Sequence, residues 1–144
     1  MNPLKFLYDT LIHDDFEWSG SIQRQTILPI DSFPAIVIEE QPFDYNQFIQ
    51  SDVVTDATER FIIFVIVETG STSEITDAQY YAFRNTCKGY ADDVVSEIIT
   101  KSIPQNDLAN VKFGEATPNH MLIGDTNTFL YEIPITIHYL KTIT

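Results

Sequence analysis

Apolar positions recur along this chain in two rhythms, one of about 3.6 residues and one of two. Leu4, Leu7, Tyr8, Leu11 and Ile12 fall at i, i+3 and i+4 spacings, which predicts a short amphipathic helix over residues 3–13. Pro3 suits the first helical position and Asn2 the cap before it. The acids Asp14, Asp15 and Glu17 end the stripe, and Trp18-Ser19-Gly20 reads as a turn. A longer helical stripe follows later, with Phe83, Cys87, Tyr90, Val94 and Ile98 on one face, widened by Ala91 and Val95. Thr76 and Gln79 form a capping box at its start, and Asp77 lies in the first turn. Lys101 lies in the last turn, where the helix dipole favours a cation, and Pro104 stops the helix.

Between and after these helices the pattern is that of strands. They are expected over Ile22 to Ile30, Phe33 to Glu40, Arg60 to Glu68, Val111 to Thr117 and Thr128 to Leu140. The run Phe61 to Val67 has no polar face, so it should be buried on both sides, one against a helix and the other against a second helix or another chain. In the last strand Phe129, Tyr131, Ile133, Ile135, Ile137 and Tyr139 alternate onto one face. Pro134 lacks an N–H for a ladder, which predicts an edge strand or a bulge there. Gln41 to Glu59 reads as a long loop. Pro118 to Thr126 reads as another, with Gly124-Asp125 as its turn. The expectation is one α+β domain over residues 1–144. It has a mostly antiparallel sheet packed by one long and one short helix, in the order α-β-β-β-α-β-β.

Charge changes the picture more than composition does. Hydrophobic residues make up 44% of the 144 residues, an ordinary globular share that argues against disorder. Twenty-one acids against eight bases give a formal charge of −13. The bases are scattered and no two are adjacent, so a phosphate-gripping patch is not expected. Cys87 is the one cysteine, which excludes an intrachain disulfide and suits a reducing compartment. Lys5, Asp9, Asp14 and Asp15 interrupt the N-terminal segment, so no signal peptide is expected. Phe61 to Val67 is too short for a membrane span.

No catalytic, cofactor-binding or metal-ligating residue is expected, and the chain does not read as an enzyme. His13, Asp14 and Asp15 are consecutive, so on a helix end they diverge where metal ligands must converge. His120 falls in a loop and His138 on the polar face of the last strand. Cys87 sits in an apolar helical stripe, where a thiol behaves as an inert small hydrophobe. The carboxylate pairs Asp14-Asp15, Glu39-Glu40 and Asp92-Asp93 also diverge. Gly70 stands alone, without the G-K-S/T that a phosphate loop requires. What a lone monomer leaves unexplained is aromatic: Phe43, Tyr45 and Phe48 in the long loop, and Trp18 near the first turn. These four are the candidate interface residues.

The order of elements resembles the tail terminator (tail completion, or head-tail joining) proteins of long-tailed bacteriophages. The resemblance lies in the opening helix, the Phe33-Pro34-Ala35-Ile36-Val37-Ile38 strand and the Phe61 to Val67 strand with a charged residue on each side. It continues through the helix Thr76 to Ser102 and the closing strand Tyr131-Glu132-Ile133-Pro134-Ile135-Thr136-Ile137-His138-Tyr139. It implies a virion protein, made in the host cytoplasm, that forms a cyclic homo-oligomer, commonly a hexamer. Such a ring caps the tail tube and meets neck proteins, while DNA passes without sticking. No cofactor and no membrane are implied. Other virion neck or adaptor rings fit the same pattern. A small cytosolic ligand-binding domain or enzyme, with a pocket between the long helix and the sheet, remains an alternative, as does an adaptor acting through residues 41–59. On charge alone, duplex DNA should bind very weakly at physiological salt. A micromolar complex in a fluorescence-anisotropy titration would contradict that expectation.

Overall fold

The computed structural model describes residues 2–24, 30–42, 54–70, 76–103, 105 and 108–142. Helix α1 (Pro3–Ile12) begins at Asn2, whose side chain accepts the backbone N–H of Lys5 at 3.1 Å, with Pro3 in the first turn as the sequence predicts. Its stripe buries Leu7 and Leu11. Gly20 then lies against the backbone of Pro34, where a Cβ would fall 1.5 Å from the carbonyl oxygen, so only glycine fits. Strand β1 (Ser21–Arg24) follows, then β2 (Ala35–Glu40) and β3 (Val54–Gly70). Helix α2 (Asp77–Ser102) carries the complete capping box of Thr76 and Gln79 and buries Cys87, Ala91, Val94 and Ile98. Strands β4 (Leu108–Phe113), β5 (Thr117–Ile123) and β6 (Thr126–Thr142) complete the described chain.

The fold is α+β, with two helices and a six-stranded mixed sheet among the described residues. Its order is β1-β2-β3-β6-β4, with β5 also on β6. Four pairings are antiparallel, but β1 runs parallel to β2, with Ser21 opposite Ala35 and Arg24 opposite Ile38. The sheet is thus mostly antiparallel, as expected, and mixed through this one parallel pair. Apolar alternation reports which face a side chain takes and carries no information on strand direction.

The order of elements agrees with expectation up to one added strand. Residues 118–123, expected as loop, belong to β5, which pairs along β6 from Thr117–Glu132 to Ile123–Thr126. Gly124 and Asp125 are the two-residue hairpin turn, and Gly124 takes the left-handed φ of 61° that such turns require. Residues 54–59 were expected as the end of a loop. They extend β3, because they pair with the far end of β6, from Val54–Thr142 to Glu59–Ile137. Tertiary pairing there overrides the turn-forming composition of Thr55-Asp56 and Thr58. Residues 25–29 of the first expected strand, residues 43–53 of the long loop and Pro104 lie outside the described residues.

Pro134 lies in the middle of the sheet, not at an edge. Gly114 N–H donates to the Pro134 carbonyl at 2.8 Å, so the backbone polar groups of Pro134 face the β4/β5 side. Phe113 pairs with Ile135 and Thr117 with Glu132, so three residues, 114–116, oppose two. The bulge expected at the proline therefore lies on its partner, where no acceptor waits for the missing N–H.

Both faces of the Phe61–Val67 run meet other residues. Phe61, Ile63, Val65 and Val67 join the main core with α1 and α2, Phe129, Ile133, Ile135 and Ile137. Ile66 enters a smaller cluster on the other face with Ala35, Val37 and Leu130. Ile62 and Phe64 are half-buried. Phe61 and Phe129 are each 1% exposed, so truncation of either to alanine should cost about 3–5 kcal/mol. Phe64→Ala and Phe83→Ala remove half-buried rings and should cost less, about 1–2 kcal/mol by the area they leave buried. Urea unfolding of the four variants checks the ranking.

Candidate assembly surface

Directly opposed residues of an antiparallel ladder share a face, so the register assigns every side chain of the sheet to one side. The side that holds Phe61 and Phe129 is covered by α1 and α2. The opposite side is covered by neither helix. Two rows cross it: Val37, Phe64, Glu132 and Thr117, then Ala35, Ile66, Leu130 and Asn119. The smaller apolar cluster lies on these rows, with Ile30, Phe33 and Ile123 packed against it. Together they form a groove of about 390 Å³ lined by Ile30, Val37, Phe64, Ile66, Leu130 and the Met121-Leu122-Ile123 end of β5, with Glu39 and Glu132 contributing carboxylates. Further along, the same face turns polar. Arg60, Thr136 and Lys112 form one row, and Thr58 Oγ1 meets His138 Nδ1 at 2.9 Å in the next.

Beside the groove, β5 presents its outer side to solvent. Thr117 to Leu122 are all exposed, with Met121 at 44% and Leu122 at 62%. An edge strand of this kind offers unpaired backbone groups and apolar side chains together, which is a template for another chain. The sequence held a signal for it, since a Gly-Asp pair between Met121-Leu122-Ile123 and Phe129-Leu130 is a hairpin pattern. Neither β5 nor Glu132 was among the candidate interface residues.

Of those candidates, Trp18 is half-buried and packs inward. It stacks on Phe16 at 6.0 Å, meets Tyr90 of α2 edge-on at 5.1 Å, and its indole N–H donates to Ser21 O at 3.1 Å. Phe43, Tyr45 and Phe48 lie outside the described residues.

The three histidines are held apart. His13 is near Asp15 at an exposed helix end, 3.4 Å from its carboxylate. His120 stacks on Tyr80 at 5.5 Å, on the helix-covered side, and His138 is on the bare side. Among the described residues no group of three or more His, Cys, Asp or Glu is placed to hold a metal ion, and no helix is long and apolar enough to cross a membrane. Lys101 Nζ reaches Asp15 at 2.9 Å and ties α2 to the turn after α1. The ammonium holds the Asp15 carboxyl below its usual range, and Asp15 in turn raises Lys101. At the far end of the β3–β6 ladder the Tyr139 hydroxyl donates to Glu59 at 2.7 Å. Burial, then Glu59, pushes that phenol up.

No protein-family model matches the chain, and no curated protein matches it significantly.

Cys87 is fully buried, and its thiol donates to the Val65 carbonyl at 3.1 Å. Desolvation pushes it up from 9.0 to about 12. It should therefore react slowly with a thiol reagent in the native protein and quickly in denaturant. Because its folded value lies above its unfolded one, the linked stability is complete below pH 9.0 and declines as the pH rises towards about 12. Urea midpoints measured across that range should fall less steeply in Cys87→Ala than in the parent.

Proposed function

We propose that this chain is a structural subunit that assembles with copies of itself into a ring, of the kind that terminates the tail tube of a long-tailed phage and joins it to the head. One observation carries the reading. The sheet is helix-covered on one face, while the other holds an apolar groove bordered by an exposed edge strand. A chain that leaves Met121 in water next to a groove lined by Phe64, Ile66 and Leu130 gains at about 25 cal/mol per Å² when a neighbour covers them. A closed ring needs two different patches on each subunit, one for each neighbour, and a two-sided layer with unlike faces provides them. The resemblance of the element order and of the closing strand to tail terminators supports the end of a tail tube as the place of such a ring.

The groove volume of about 390 Å³ also lies in the range of small-ligand sites, which favours a ligand-binding domain as the second reading. Light scattering coupled to size exclusion separates the two. At raised concentration the ring reading expects one species at a whole-number multiple of 16.5 kDa, six being the multiple that the tail-terminator resemblance implies. A persistent monomer would overturn it and leave the groove to a ligand.

A further inference from the structure

The face that no described element covers offers a seat, and the charges on this chain indicate an occupant. Glu132 is half-buried in the row between Phe64 and Thr117, and among the described residues its carboxylate has no hydrogen-bond or ion-pair partner. A carboxylate that stands without a partner beside an aromatic ring in an apolar groove is a natural mate for a cation, so whatever fills the groove should bring one. Each copy carries −13, so two copies repel unless a base of one meets an acid of the other.

The chain has few bases to offer. Lys5 is paired with Asp9, Lys88 with Asp92 and Lys101 with Asp15, and Arg24 lies over the Tyr8 ring at 4.3 Å. Arg60 and Lys112 are on the bare face itself, opposite Thr136. Arg84 remains. It is on the helical layer, its side chain reaches only the neighbouring Asn85 at 3.4 Å, and it meets no carboxylate among the described residues. Tyr81, three residues before it and so adjacent on the surface of α2, is 59% exposed. An aromatic residue and an arginine side by side are the commonest anchors of protein interfaces.

We infer that the groove is the seat for α2 of a second copy, with Tyr81 entering between Phe64 and Leu130 and Arg84 meeting Glu132. The helical layer of one subunit then covers the bare sheet face of the next, which gives the sheet helices on both sides. The contact is head-to-tail, as a ring requires. It rests on the ring reading and assigns the two surfaces that meet.

A charge swap tests it. Arg84→Glu and Glu132→Arg are made singly and together, folding is checked by circular dichroism, and self-association is followed by sedimentation velocity. Each single variant should weaken association at least about tenfold, and the double variant should recover most of the loss. Should a reversed chain fail to fold, Arg84→Gln, Glu132→Gln and Tyr81→Ser carry the comparison, and each is expected to weaken association. Single variants that assemble like the parent would overturn this seat while the ring stands, and would leave the groove to a basic segment of another protein. Singles that weaken association without recovery in the double variant would show that the two residues do not meet. A parent chain that never self-associates would overturn the ring and the seat together.

Discussion

β3 and β6 are each 17 residues long and pair along almost their whole length, from Val54–Thr142 to Gly70–Asn127. At about 3.3 Å per residue the ladder spans about 55 Å, more than twice an ordinary strand. Every other strand except β1 takes its place from it. β2 binds the outer edge of β3, while β4 and β5 share the outer edge of β6, one after the other. Both helices pack on the face where Phe61, Ile63 and Val65 lie with Ile133, Ile135 and Ile137. The Cys87 thiol even reaches a carbonyl of this ladder, that of Val65. A register slip of one residue would exchange its two faces and expose the whole core, so the pairing fixes the rest of the molecule.

The same ladder creates the asymmetry on which the functional reading depends. Two helices suffice for one face of the sheet. The second face holds apolar side chains at one end, around Phe64, Ile66 and Leu130, and polar ones at the other, around Arg60, Thr136 and His138. β5 borders the apolar end because Gly124 turns the chain back at that point. Its sequence holds no Lys, Arg, Asp or Glu to discourage a visiting strand, though Pro118 limits the pairing at its start. On the proposed ring reading, unlike faces on one layer supply the two different patches that head-to-tail contact needs.

Charge sets the terms of any such contact. Of the eight bases, Lys5, Lys88 and Lys101 are paired within the chain and Arg24 lies over the Tyr8 ring, and the acids number twenty-one. Self-repulsion keeps copies apart except where a local pair offsets it. A contact between copies, as proposed, would therefore be selective in orientation.

The sequence by itself determined what local physics controls. Asn2-Pro3 and the Thr76–Gln79 box placed both helix starts, because capping depends on residues three positions apart. Alternation placed the six buried side chains from Phe129 to Tyr139 on one face, because the strand period is two. The apolar run Phe61–Val67 announced contacts on both sides of the sheet. Only the tertiary structure decided the rest. The parallel pairing of β1 and β2 depends on where the connecting chain runs, which no residue pattern encodes. Residues 54–59 became strand because β6 was long enough to pair with them. Pro134 could stand at the centre of the sheet because Gly114 and its neighbours bulge opposite it. Glu132 became notable only when the register set it in an apolar row beside Phe64. The sequence points to aromatic residues in a loop and a turn as interface candidates. Trp18 instead packs on Tyr90, and the groove is assembled from β2, β3 and the β5–β6 hairpin, a convergence that long-range pairing produces.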